Sequence, residues 1–210
     1  MEVKPTEEQI GETLSRIHAA AMEEFSAKGF QSASLRNIVK TAGVTTGAFY
    51  GYYPSKEALF TALVSEVYDT LMREYKELLT MFENMLPEQQ IENMVTVGGD
   101  CMKQMMNYMD THRAQVKLLL QSAEGTKYEH MIDEFVELKV DSTNKYSDML
   151  RSMGQDVPQM DERLEHILVT GMFNAYFEMI LHDMTLSDAM LYLEELNAFY
   201  TAGWKRIMGQ

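Results

Sequence analysis

Residues 34 to 60 read S34-L-R-N-I-V-K-T-A-G-V-T-T-G-A-F-Y-G-Y-Y-P-S-K-E-A-L-F60, and their punctuation decides how the rest of the chain is read. Ser34 is a good N-cap for a short helix ending near Thr41, because its hydroxyl accepts from an unpaired first-turn N–H. Gly43 stands where the backbone must reverse, a conformation glycine adopts without a Cβ penalty. A further helix is expected from Thr45 to about Tyr52, and Pro54 with Ser55 marks the break before the next one. Two short helices joined by K40-T-A-G-V-T45 have the spacing of a helix-turn-helix, although that spacing alone occurs in many helical proteins. Val44 and Phe49 would hold the second of the two helices to Ile38 and to the helix before it. Thr45, Thr46, Ala48, Tyr50, Gly51 and Tyr52 are then left facing outward.

Working outward, nearly every segment shows helical rather than alternating periodicity. A first helix is expected from Thr6 to Lys28, with Ile10, Leu14, Ile17, Ala21 and Phe25 on one stripe and Gly29 as its stop. Ser55 caps a long helix from Lys56 to about Phe82, with Glu57 in its first turn. After Pro87, a helix over 88–109 puts Ile91, Met94, Val95, Gly98, Met102, Met105 and Met109 on one face. Further helices are expected near 111–123, 127–153, 161–182 and 186–208. That over 161–182 is apolar nearly all round, with Leu164, Ile167, Leu168, Met172 and Met179 on one side and Phe173, Phe177 and Ile180 on the other. Such a helix needs cover on both sides. The expected fold is all-α: an N-terminal three-helix domain over 1–55, joined by the long helix to a C-terminal helical domain over 56–210.

The chain has 210 residues, 46% of them hydrophobic, which suits one large domain or two small ones. The longest apolar run, Ile167 to Leu181, is interrupted by Thr170, Asn174 and Glu178, so no membrane span is expected. M-E-V-K-P-T-E-E lacks the basic start and apolar run of a signal peptide. The single cysteine, Cys101, has no partner for an internal disulfide, and a cytoplasmic location is expected. A formal net charge of -14 argues against a polyanionic partner. Its distribution argues the other way. From Phe25 to Lys56 there is no Asp or Glu, while Lys28, Arg36, Lys40 and Lys56 are all basic, and the net acidity lies entirely after residue 56.

F25-S-A-K-G-F30, S34-L-R-N-I-V-K-T-A-G-V44 and T45-T-G-A-F-Y-G-Y-Y-P-S-K-E-A-L59 resemble the N-terminal domain of TetR-family transcriptional regulators, over about a quarter of the chain. The resemblance implies a three-helix DNA-binding domain, an all-helical homodimer on double-stranded DNA, and a C-terminal domain that dimerises and binds a small-molecule effector. Carried over position by position, Thr45, Thr46 and Ala48, with Gly47 between them, match places where the family's recognition helix meets base edges or phosphates. Tyr50, Tyr52 and Lys56 match positions that grip the backbone, and Arg36 sits where the family often carries a residue reaching the groove or a phosphate. Thr46 departs from a common Lys or Arg, Gly51 from a larger side chain, and Tyr53 from Phe. With Gly51 unable to read a base, sequence discrimination would lean on Thr45, Thr46, Arg36 and DNA shape.

Methionines number 19, and their flexible thioethers suit irregular apolar cavities as well as plain core. Met102, Met105, Met106, Met109, His112, Met131, Met172, Phe173 and Tyr176 are the candidate lining of an effector pocket, whose ligand is expected to be apolar or aromatic. The helices near 161–182 and 186–208 are the expected dimer elements. The competing readings are a ligand- or protein-binding protein of the same fold without operator binding, and an all-α enzyme. None of His18, His112, His130, His166 and His182 follows a Glu by three residues, and P-loop, H-E-x-x-H and G-x-S-x-G patterns are absent. Catalysis, a metal and a cofactor are therefore not expected. The preferred reading is a repressor released from a palindromic operator by a small molecule.

Overall fold

The computed structural model describes residues 6–209. Met1 to Pro5, most of the stretch read above for a leader, lie outside the described residues, as does Gln210. The described residues form α1 (Glu7–Ser32), α2 (Leu35–Thr41), α3 (Thr46–Tyr50), α4 (Lys56–Glu83), α5 (Pro87–Thr111), α6 (Arg113–Gln121), α7 (Met131–Ser152), α8 (Glu162–Leu181) and α9 (Leu186–Ile207), with no strand among them.

Local chemistry accounts for the boundaries. Thr6 opens α1 through a capping box, its Oγ1 accepting from Gln9 N–H while the Gln9 side chain accepts from Thr6 N–H. At Gly29 the backbone turns to φ 71°, ψ 163°, so the regular helix stops where the sequence places its stop, and a short hydrogen-bonded turn carries on to Ser32. α3 is shorter than expected, since Gly51 N–H bonds back to Ala48 O and Tyr52 N–H to Phe49 O, a tight turn in place of another helical one. α5 starts on Pro87 itself, as proline lacks only an N–H that would be unpaired there. α7 starts four residues later than expected because Thr126 locks the preceding turn, donating to Ala123 O and accepting from Tyr128 N–H.

The chain divides into two compact units. The first takes the residues up to Tyr68 together with Ala114–Glu129. Ile17, Phe25, Ile38, Phe49 and Phe60 are fully enclosed in it. Phe60 meets the rings of Phe25 and Phe30 edge-on at 5.1 and 5.4 Å, with Tyr128 6.3 Å away on the same ring. Phe30 N–H donates to Ser122 O at 2.9 Å. A division at residue 55 leaves Phe60 and Tyr128 outside this core. By contact they complete it, so the start of α4 and a segment distant in sequence both belong to the unit.

The second unit takes Asp69–Arg113 and the chain from His130 onward. Within it α7 packs on α8 and α5 on α9. Its centre is aromatic, with Tyr75, Phe135 and Phe173 in mutual contact at 5.0 to 5.7 Å. The Tyr176 hydroxyl donates to Met102 O at 2.9 Å, tying α8 to α5. One side of α8, with Phe173, Phe177 and Ile180, is fully covered, whereas Leu164 and Ile167 on the other are 47% and 63% exposed.

Gly29 lies in a region of backbone space that is essentially closed to side-chain-bearing residues. Gly29→Ala is expected to cost about 1–3 kcal/mol, seen as a lower thermal midpoint by circular dichroism, although the added methyl would meet nothing within 4 Å. An unchanged midpoint would show that this backbone geometry is not required.

Candidate functional site

α2 and α3 hold seven and five residues. Helices so short are marginal by themselves, so caps and buried anchors must fix them. Ser34 Oγ accepts from Asn37 N–H and Thr45 Oγ1 from Ala48 N–H. Val39 O accepts from Val44 N–H across the turn, where Gly43 takes φ 65°. Phe49 is fully buried, with Tyr50 and Tyr53 beside its ring at 5.5 and 6.0 Å.

What faces outward is then a continuous uncharged strip. Thr45, Thr46, Gly47 and Ala48 are exposed, and Tyr50 is 54% exposed. Tyr52 and Tyr53 are half-buried. The Tyr53 hydroxyl shares a hydrogen bond with Nε2 of His18 on α1. Burial lowers the His18 pKa, which favours a neutral ring accepting from the tyrosine O–H. The hydroxyl that departs from the family's usual Phe therefore has a structural partner.

The four bases of the acid-free window divide in two. Lys28 pairs with Glu24 at 2.8 Å. Lys56 directs its ammonium inward, donating to the carbonyls of Phe30, Gln31 and Ala33 at 2.6, 3.1 and 3.0 Å and lying 4.5 Å from the Phe30 ring. Burial pulls its pKa below the usual range. All three ammonium protons are thus engaged by the end of α1, so the structure gives Lys56 a positioning task where the sequence suggested a phosphate contact. Arg36 and Lys40 remain exposed, with no ion pair among the described residues. Sequence reasoning missed Arg16: it is exposed on α1, and its Nη1 lies 3.5 Å from where a Cβ on Gly43 would stand. Only the packing of α1 against the turn reveals that base.

In the second unit, a cavity of about 140 Å³ is lined in part by Tyr75, Phe82, Met102, Lys139, Tyr146 and Trp204. A second, of about 540 Å³, shares Met102, Met172, Tyr200 and other residues with it. Of the nine expected lining residues, Met102 and Met172 reach both cavities and Tyr176 the second. Met105, Met106, Met109, Met131 and Phe173 are at most 1% exposed and line neither cavity, being packed as core. His112 caps α5, its ring 4.3 Å from that of Tyr108 and its Nδ1 near Tyr108 O, and it also lies away from both. Lys139 was missed, and α7 carried the signal. Phe135, Lys139, Ser142 and Tyr146 follow one helical stripe, so a lysine interrupts an otherwise inward face.

Residues 17–63 match the family described as bacterial regulatory proteins, tetR family. An uncharacterized HTH-type transcriptional regulator of Bacillus subtilis, YdgC, is 33% identical over 96 residues, covering 46% of this chain and 48% of that one. UidR, an HTH-type transcriptional regulator of Escherichia coli, is 37% identical over 65 residues, covering 31% of this chain and 33% of its own. The chain thus matches half or less of the length of these curated relatives. A crystal structure of a tetR-family regulatory protein from Rhodococcus RHA1 superposes with a TM-score of 0.53 at 18% identity, covering 93% of this chain and 96% of that one, a likeness of fold.

If Lys56 positions α4 against the end of α1, Lys56→Met should lower thermal stability by about 1–2 kcal/mol, the scale of charge-assisted hydrogen bonds partly replaced by water. Arg36→Ala should leave the melting curve in place. Equal, unshifted melts for both variants would return Lys56 to the pool of free surface cations.

Proposed function

We propose that this chain, which belongs to the TetR family through its N-terminal domain, is a DNA-binding transcriptional regulator and acts as a dimeric repressor released by a small molecule. The observation that carries the reading is the uncharged exposed strip of Thr45–Ala48 and Tyr50, held out by the buried Phe49 and flanked by the unpaired Arg36 and Lys40. Small residues let the backbone approach a groove closely, and threonine and tyrosine hydroxyls bond phosphate oxygens without adding negative charge. Arg16 adds a further exposed cation beside the turn at Gly43. Bases and hydroxyls directed at phosphates supply affinity, while Thr45, Thr46 and Arg36 are the groups suited to base edges. The relatives are regulators and not enzymes, in keeping with a site built for binding.

The dimer rests on the apolar surface of α8 and α9. Leu164 and Ile167 on α8, with Leu191, Tyr192 and Phe199 on α9, are 47% to 72% exposed, a concentration that a lone soluble chain seldom leaves wet. A two-fold axis through this surface pairs it with itself, and half-sites about 34–36 Å apart then match one turn of DNA. The effector would enter the second unit. α4 contributes residues to both units and is the element through which binding in one is felt in the other. Linkage requires the effector and DNA to weaken each other by the same factor.

Fluorescence anisotropy on duplexes from upstream of the gene tests the DNA reading. Binding should weaken steeply with salt, and Arg36→Ala should reduce the slope of log affinity against log salt by about 1. Tyr50→Phe should cost about five-fold in affinity, one hydrogen bond. Absence of binding at low salt to every such duplex would remove the reading. For the dimer, Phe199→Glu is expected to halve the mass measured by light scattering with helicity retained, since Phe199 is 72% exposed and supports no core. A mass that stays dimeric would place the axis elsewhere.

A further inference from the structure

Lys139 is the one lysine or arginine lining the 140 Å³ cavity, whose remaining polar side-chain groups are hydroxyls, an amide and the Trp204 indole N–H. It has no carboxylate within ion-pair distance among the described residues. The opposite charge that acts on it is Glu165 of α8, which is buried, does not line the cavity, and leaves Oε1 without a hydrogen-bond partner. Burial pulls the Lys139 pKa down and Glu165 opposes the shift, as expected of an ammonium short of water and incompletely paired. Around it stand the rings of Tyr75, Phe82 and Trp204 and the thioether of Met102. An apolar cavity of about 150 Å³ is known to hold one benzene ring. The cavity here, about 140 Å³, matches that size and shares part of its wall with the second one.

We propose that this cavity takes a small amphipathic carboxylate, its anionic end held by the Lys139 ammonium and its apolar body among Phe82, Met102 and Trp204. The inference deepens the effector reading above and rests on it for regulation, though not for binding. The physical case is one of compensation. A desolvated cation in an apolar site is costly unless paired, and a carboxylate supplies both the opposite charge and the acceptor that the protein withholds. Ser142, also on the cavity wall, offers its hydroxyl to the second carboxylate oxygen. A neutral ligand of the same shape would leave the half-buried ammonium without a counter-charge, so the site selects for charge as well as for size.

Trp204 is the only tryptophan in the chain, so its emission reports on the cavity directly. Phenylacetate and octanoate are titrated against phenylacetamide and octanamide, following Trp204 fluorescence and, independently, calorimetry. At least one acid is expected to bind about ten-fold or more tightly than its amide, the scale of one charge-assisted contact. Lys139→Met is expected to abolish that preference while keeping the helical signal and the melting point, because methionine fills the volume of the lysine stem. Equal affinity for acid and amide in the unaltered chain, no binding of either acid, or an acid preference that survives Lys139→Met would each overturn the proposal. The acid–amide comparison needs no variant and stands even if Lys139→Met fails to fold. Anisotropy of a bound upstream duplex separates the two proposals. An acid that binds without releasing DNA removes the effector role and leaves the site. Loss of all DNA binding removes the regulator reading while the fluorescence titration still decides the site.

Discussion

The outward face of the N-terminal unit depends on the burial of one side chain. Helices of seven and five residues do not persist in water by their own hydrogen bonds, and α3 has little besides Phe49 to fasten it. Phe49 is wholly enclosed, and its neighbours in sequence are exposed because it is not. A helix of 3.6 residues per turn with one apolar anchor must turn the residues one and two places before it, Ala48 and Gly47, and the one after it, Tyr50, off the buried face. The uncharged strip is therefore a geometric consequence of where Phe49 goes. Lys56 completes the support by joining the start of α4 to three carbonyls at the end of α1, so that the frame under α3 is fixed from both sides.

This arrangement alters the meaning of the charge distribution. An acid-free window with four bases looks like a single electropositive surface, yet two of those bases are engaged within the unit. Arg36 and Lys40 remain, joined by Arg16 from α1, which the sequence places outside the window. The field that a polyanion would meet is then built from fewer charges, assembled from separate helices. Hydroxyls of Thr45, Thr46 and Tyr50 take a larger share, and they act only at hydrogen-bonding range. Such a surface suits close docking more than long-range attraction, in a chain whose net charge is -14.

The second unit shows the same limit on reading residue types one at a time. Methionine-rich helices suggested a cavity lined by thioethers, but most of the methionines singled out are fully packed. What opens to the cavity is a mixed wall, with aromatic, hydroxyl and ammonium groups from α4, α7 and α9 set among apolar groups that include Met94, Met102, Met172 and Met208. Whether a methionine fills space or borders it depends on the distance between the helices on either side, which no single helix encodes. Lys139 differs, because a lysine in line with Phe135, Ser142 and Tyr146 breaks the pattern of its own helix. Interrupted stripes carry more information about sites than uniform ones, since a buried charge is retained only against a cost.

By itself, the sequence determined the helices and the helix-turn-helix, because caps, glycines and apolar spacing act over a few residues. Thr6, Gly29, Ser34, Gly43, Thr45 and Ser55 mark boundaries through local hydrogen bonds and backbone freedom. It also determined that Phe49 points inward and the residues around it outward, a matter of periodicity. The tertiary structure alone decided that Lys56 faces α1, that Arg16 stands beside the turn, and that residues 114–129 belong with the N-terminal core. It alone decided which side chains border the cavity. These are relations between helices far apart in the chain, set by how ridges and side-chain volumes fit across an interface, and no local pattern records them.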